Sequence, residues 1–530
     1  MEQDTTLKLL AAQAGALTFN RGIEREALRV DAQGNLARSP HPAALGSKLC
    51  HPTITTDFSE AQLELITPVK TSVADMLAQL TEIHQVVHAS IGDEVLWSAS
   101  MPCVLSADNN IPLAQYGTSN LGRLKTTYRN GLGHRYGRAM QTICAVHYNF
   151  SFNDAFWTTL AAQEDASPTD KDWRSKRYFD LMRNFRRLSW LPVYLFGASP
   201  AVCNSFVRGR SHNLERFDEG SLYARGATSL RCGNLGYQSE TQRHMVRVCF
   251  NSLENYVSKI AEAICTPYDD YVKLGLMNGD EHLQVNTGIL QSEAEFYTTI
   301  RAKRLPARGS NFLKVLLAEG VEYLEIRLLD VNPYQPVGID EDDIHFMDML
   351  LLHCLLTDSP ELGEEECNAA TANVQQVVYG GRESGTVLDD NGTQRDVIEW
   401  GLAVIGAMEE IAATLDRVNG GSAYTETLVQ QRDKLHDASR TPSAHVLADM
   451  KAESIPFFRF AMNKALEHQQ YFRKLPLSRE RIEYYDDLAA RSLAEQRQLE
   501  DADSISFDRY LENHNEEYRE LLHSGTVPRK

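Results

Sequence analysis

Residues 22–30 read Gly-Ile-Glu-Arg-Glu-Ala-Leu-Arg-Val, and this pattern predicts an extended strand. Side chains alternate between the two faces of a strand, so Glu24 and Glu26 point the same way. Two like charges side by side on a mostly apolar strand repel, unless a cation lies between them or one keeps its proton. Acids recur in the segment Thr56 to Ile66, which holds Asp57, Glu60 and Glu64, and in Tyr323 to Leu328, which holds Glu325. From Thr142 to Phe152 the chain alternates, with His147, Asn149 and Ser151 on one face and Val146, Tyr148 and Phe150 on the other. Glu322 to Asp330 does the same, setting Leu324, Ile326 and Leu328 opposite Tyr323, Glu325 and Arg327. One face of each strand is apolar and the other carries chemistry. That pattern predicts an antiparallel sheet with helices behind it and a ligand in front.

Helical spacing appears in Val73 to Val87, where Met76, Leu77, Leu80, Ile83, Val86 and Val87 form the apolar stripe. From about Asp340 helix dominates. Asp343 to Thr357 reads as an apolar core helix, and Trp400 to Val418 as one helix stopped by Asn419-Gly420-Gly421. Charged helices follow Pro456, among them a solvated surface helix over Arg481 to Glu500. Tyr116 to Arg129 mixes turn residues, bases and hydroxyls and reads as a solvated basic loop. No repeat or low-complexity linker divides the chain.

The composition sharpens this picture. Of 530 residues, 43% are hydrophobic and 24% charged, and the mean hydropathy is −0.36, ordinary for a globular protein. A net charge of −19, from 53 bases and 72 acids, argues against nucleic-acid or anionic-membrane partners. The amino terminus lacks the basic-then-apolar pattern of a signal peptide. Ser189 to Val207, the most apolar longer stretch, contains Pro192, Gly197, Pro200 and Asn204, and reads as core rather than a membrane span. Nine cysteines without a CxxC pair read as reduced thiols, which places the chain in the cytoplasm.

The acids Glu24, Glu26, Asp57, Glu64 and Glu325, with His147, form an oxygen-rich set of candidate ligands. Such a set suits Mg²⁺ or Mn²⁺ better than zinc. Any one of these acids taken singly is a surface carboxylate or ion-pair partner. The conjunction of same-face acids on at least two strands, with His147 and Asn149 on a third, is what points to a metal. Arg231 and Arg327 supply the cations that phosphate and carboxylate recognition needs, and Arg301, Lys303 and Arg304 form another basic patch. The chain has no P-loop, dinucleotide fingerprint, nucleophile elbow or protein-kinase signature.

Ordered motifs over most of the first 340 residues resemble the proteobacterial type of glutamate–cysteine ligase. They include Arg21 to Val30, Ile54 to Glu60, Leu63 to Pro68, Ser100 to Cys103, Ala114 to Asn120 and Val146 to Ser151. Tyr194 to Ala201, Ala227 to Arg231, Glu322 to Arg327 and Asp330 to Pro333 complete them. The resemblance implies an α+β fold related to glutamine synthetase, a curved, mostly antiparallel sheet backed by helices, with helical C-terminal additions. Residues 1–360 would form the ATP- and Mg²⁺-dependent core, and 361–530 a helical region on the same unit.

It further implies that Glu24, Glu26, Asp57, Glu64, His147 and Glu325 hold Mg²⁺ around the ATP phosphates. Arg231 and Arg327 would act in catalysis and, with Asn149, surround glutamate and the moving phosphoryl group, while Tyr128, Tyr237 and Tyr297 would line the cysteine pocket. The implied reaction joins the γ-carboxylate of L-glutamate to the amine of L-cysteine at the expense of ATP, in a monomer with small-molecule partners only. The close alternative is a carboxylate–amine ligase of the same fold with another amine acceptor. A Mg²⁺-dependent hydrolase or phosphatase using the same acids is a further one.

Overall fold

Seven strands build the central sheet: β1 (Phe19–Val30), β2 (Ile54–Thr56), β3 (Gln62–Ile66), β4 (Val95–Leu96), β5 (Val146–Phe152), β6 (Ile300–Lys303) and β7 (Tyr323–Leu329). The order across the sheet is β6-β7-β5-β1-β3-β2, with β4 on the end of β1, and every pairing is antiparallel. The computed structural model describes residues 3–236, 239–248 and 250–523.

Alternation carries through to burial. Ile23, Ala27, Leu63, Leu65, Tyr148, Phe150, Leu324 and Ile326 all turn to the back of the sheet and are fully buried. Helices Val73–Ser90, Lys171–Leu188 and Trp190–Phe196 pack against the sheet strands. Helix Glu341–Leu356 lies against Lys171–Leu188 and is buried almost along its whole length, as its continuous apolar sequence predicts.

That helix is tied to β1 by a buried polar knot. The Arg21 guanidinium pairs with Asp348 at 2.5 Å, and Tyr148 and Tyr424 donate hydroxyls to the same carboxylate at 2.6 and 3.2 Å. Asp348 is 0% and Arg21 4% exposed, so neither charge is solvated by water. The strand thus carries acids on its front and a satisfied cation behind.

Two expectations change. Tyr116 to Arg129 is not a loop: a helix runs from Asn120 to Tyr136, started by the Ser119 side chain, which accepts from Gly122 N at 3.1 Å. Its glycines lower intrinsic propensity but serve packing, since a Cβ on Gly131 would stand 2.1 Å from Gln291 Oε1. Trp400 to Val418 is not one helix but parts of two, Val397–Ala407 and Glu409–Asn419. At Met408 the N–H bonds Ile405 O, three residues back, and the tightened turn redirects the chain.

The C-terminal helices return to the N-terminal half. Arg479–Ala502 packs on residues 43–47, where Ser492 Oγ accepts from Ser47 N at 2.9 Å, and Arg481 pairs with Glu82 at 2.5 Å. Glu495 pairs with Arg308 and Glu500 accepts from Thr118 N, and the opposite face of the helix is solvated. Phe507–His523 packs on helices Leu253–Cys265 and Asn120–Tyr136. The eight described cysteines are free thiols. Among the described residues, no helix is long and apolar enough to cross a membrane.

Candidate active site

The register of the sheet gathers the acids on its front. Glu24 on β1 stands opposite His147 on β5, Glu26 opposite Glu64 on β3, and Glu325 on β7 opposite Asn149. His147 Nδ1 lies 3.3 Å from Glu24 and 3.7 Å from Glu325, and its Nε2 lies 3.6 Å from Glu26. Asn149 donates to Glu24 at 2.8 Å, which leaves its buried Oδ1 without a hydrogen-bond partner. Asp57 sits in the turn joining β2 to β3, and its charge reaches both Glu26 and Glu64. Glu60, in the same turn, faces elsewhere and pairs with Lys48 at 2.6 Å.

Cations border the acids. Arg327 donates to Glu325 at 2.8 Å, and Lys303 and Arg301 approach the other Glu325 oxygen at 3.6 and 3.8 Å. Arg231 is held from two sides. It donates to the Arg327 carbonyl and lies 3.6 Å from Asp330, whose carboxylate also accepts from Ala198 N and Ser229 Oγ. Asp330 is therefore a positioning residue for Arg231. The Arg301 and Lys303 contacts were invisible as a solvated basic patch, because only pairing of β6 with β7 brings them to Glu325. The readable signal was their i, i+2 spacing on a short strand.

These neighbours set the protonation of the acids. Burial and the Asp57 charge push Glu26 up to about 8, against the pull of Arg327, Arg231 and the Ala145 N–H. Burial and the charges of Glu24, Asp57 and Glu26 hold Glu64 well above the ordinary carboxylate range. Burial also opposes ionisation of Glu325, yet Lys303, Arg327 and Arg301 outweigh it and hold the carboxyl well below that range. Burial acts on Glu24 too, and the His147 hydrogen bond leads the forces that bring it below the ordinary value. Burial and Arg327 keep His147 neutral, the form in which imidazole binds metals.

The donor set fits a hard cation. Ligand atoms of Glu24, Glu64 and His147 all lie within 4.8 Å of one another, a separation one ion can bridge, and two of the three are carboxylates. A divalent cation bound here would replace the protons on Glu26 and Glu64.

A carboxyl raised from 4.5 to about 8 contributes stability below its unfolded value and loses it as pH rises through its folded one. Metal-free protein therefore melts at a lower temperature at pH 8.5 than at pH 6, and Mg²⁺ removes most of that difference. Thermal melts at both pH values, with chelator and with Mg²⁺, measure it. An equal Mg²⁺ effect at the two pH values rejects the assignment.

Beside the row of acids opens a cavity of about 750 Å³, lined by Arg231, Arg327, Tyr297, Arg186, Thr371 and Cys367 among others. Tyr297 OH accepts from Gln141 Nε2 at 2.9 Å and its ring packs edge-on against Tyr136. Tyr128 stands half-buried on helix Asn120–Tyr136, outside the residues lining this cavity. Tyr237 lies outside the described residues. Cys232 lines the cavity next to Arg231, whose Nη1 is 3.3 Å from its sulfur, and burial raises the thiol's pKa.

Residues 7–377 match the family model described as glutamate-cysteine ligase. The chain belongs to the glutamate–cysteine ligase family. A glutamate–cysteine ligase of Alcanivorax borkumensis is 47% identical over 511 residues, covering 95% of this chain and 97% of that one. The crystal structure of glutamate–cysteine ligase from Francisella tularensis in complex with AMP superposes with a TM-score of 0.89 at 33% identity, over 95% of this chain and 99% of its own. A bifunctional glutathione synthetase from Pasteurella multocida aligns with a TM-score of 0.66 at 25% identity, over 89% of this chain but 53% of its own. The antiparallel sheet read from the strands holds, as do the α+β fold that the resemblance implies and the family read from the motifs.

Proposed function

We propose that this protein is an ATP-dependent ligase that joins the γ-carboxylate of L-glutamate to the amine of L-cysteine, the first step of glutathione synthesis. The observation that carries the reading is the arrangement of the family's acids and arginines. A row of carboxylates on adjoining strands ends at Arg231 and Arg327, which face a cavity large enough for two amino acids.

A carboxylate is a poor acyl donor because its leaving group is oxide. Attack of the γ-carboxylate on the γ-phosphorus of ATP forms an acyl phosphate and releases ADP. The cysteine amine then attacks the acyl carbon, the C–O bond to phosphate breaks, and the amine loses its proton. Arg231 and Arg327 orient the γ-carboxylate and offset charge on the phosphoryl oxygens, held in place by Asp330 and Glu325. Glu24, Glu26, Asp57, Glu64, His147 and Glu325 would hold Mg²⁺, which supplies charge neutralisation and alignment of the phosphates. Mn²⁺ suits the same donors. The AMP in the Francisella tularensis relative supports a nucleotide at the equivalent site. The free cysteines fit a reducing cytoplasm, and nothing in the mechanism calls for a second subunit.

ADP release measured with glutamate, cysteine and Mg²⁺, with the product's mass, tests the reading. Release that needs no amine, or prefers another amine, rejects it. Tyr297 and its Gln141 partner border the acceptor side. Tyr297→Phe should raise the KM for cysteine about tenfold, the loss of one well-placed hydrogen bond, with little change in the KM for ATP. An unchanged cysteine KM removes Tyr297 from the pocket.

A further inference from the structure

The segment Tyr116 to Arg129 leaves two cations beside the acids with no carboxylate in ion-pair contact, although the charge of Glu64 reaches both. Lys125 and Arg129 lie one turn apart on helix Asn120–Tyr136, and both stand over the ring of Tyr116, at 5.5 and 4.5 Å from its centroid. That ring is itself fixed, since Tyr116 OH donates to the carbonyls of Thr56 and Asp57 at 2.5 and 3.0 Å. Arg129 donates through Nε to the Asp57 carbonyl and through Nη1 to the Lys125 carbonyl. Among the described residues neither cation has a carboxylate within ion-pair distance. Every other base beside the acids has one: Arg327, Arg301 and Lys303 share Glu325, and Arg231 has Asp330.

Two half-buried cations pressed together without a directly paired anion are costly, and the cost is recovered when one binds in contact. Burial and the neighbouring Arg129 push the Lys125 ammonium down to about 8, against the opposing pull of the Glu64 charge. The position of the pair identifies that partner. Across the sheet face the groups run Arg327 and Glu325 on β7, His147 and Asn149 on β5, Glu24 and Glu26 on β1, Glu64 on β3. The Asp57 turn, gripped by Arg129, comes last. From β7 to β3 is three strand spacings, roughly 14 Å. In phosphoryl transfer the attacking and leaving oxygens lie in line on opposite sides of phosphorus. If Arg231 and Arg327 hold the attacking carboxylate at one end of the row, the leaving diphosphate belongs toward the other, where Lys125 and Arg129 stand.

We infer that Lys125 and Arg129, braced on the Tyr116 ring, form a subsite for the non-transferred phosphates of the nucleotide. This rests on the ligase reading above and adds residues to it. Lys125 bonds the oxygens that accumulate charge as the β–γ bridge breaks. Arg129 contributes its free edge while its Nε fixes the Asp57 turn.

Lys125→Met keeps the stem packed on Tyr116 and removes the charge. ADP affinity by calorimetry in Mg²⁺ should fall about tenfold or more, and the KM for ATP should rise in parallel. The KM values for glutamate and cysteine should stay within about twofold, and Lys125→Arg should recover most of the ADP affinity. A raised KM for cysteine with unchanged ADP affinity assigns the pair to a substrate carboxylate and overturns the inference. Unchanged values for all three ligands overturn it as well. The two readings fail separately: unaltered protein that makes no γ-glutamyl product sinks the ligase reading, whereas an active parent with ADP-indifferent Lys125→Met sinks only this subsite.

Discussion

Glu26→Gln should abolish turnover while leaving the melting temperature of the metal-free protein at pH 7 unchanged or higher. Glu26 is 5% exposed and already largely protonated at that pH without a cation, because burial and Asp57 hold its carboxyl near 8. Glutamine has the shape of that protonated acid, and its amide oxygen can still accept from Ala145 N, which reaches Glu26 at 2.8 Å. The substitution removes only the capacity to become an anion when a divalent cation enters. A loss on the order of 10²–10³-fold or more in kcat is expected, the size seen when a preorganised charge-stabilising group is deleted. Steady-state ADP release at saturating Mg²⁺, beside thermal melts of the same preparations, tests the point. Near-normal turnover at high Mg²⁺ rejects Glu26 as a ligand. A collapsed melting temperature makes its role structural.

The opposite separation is expected behind the sheet. Asp348→Ala leaves Arg21 buried with no counter-charge and removes the acceptor for two tyrosine hydroxyls. Breaking a buried pair from one side costs about 3–5 kcal/mol, a large part of the stability of a typical domain. Urea denaturation should show a loss of that size. The molecules that remain folded should keep their kcat, since Arg21 and Asp348 project from the face away from the acids. Arg21→Met with Asp348→Leu should be markedly less damaging than Asp348→Ala alone, because it removes both charges. Equal losses from the single and double variants show that packing, not the unpaired charge, carries the cost. Glu26 and Arg21 lie on one strand, yet one sets activity and the other stability.

Much of this was legible locally. Period-two alternation assigned Glu24, Glu26, His147, Asn149, Glu325 and Arg327 to one face, and the strands containing them are where the pattern put them. Continuous apolarity marked Glu341–Leu356 as core. The misread segments share a cause. Around Tyr116 to Arg129 the glycines and bases outweighed a single N-cap serine, and the stabilising contacts come from residues such as Gln291 and Asp503, far along the chain. At Met408 the break is a change of hydrogen-bond pattern by one residue, for which apolar periodicity leaves no mark.

The sequence by itself determined the chemistry available and the face on which each group stands, because both depend only on residue type and a period of two. Tertiary structure alone decided which groups meet. Glu26 opposes Glu64 and Glu24 opposes His147 through registers that join residues 38 and 123 positions apart, and a slip of one would turn every acid inward. The same long-range assembly raises Glu26 and lowers Glu325, though both are glutamates on apolar strands. Charge and burial at a site are sums over neighbours, and the neighbours here arrive from positions as far apart as Asp57 and Arg327.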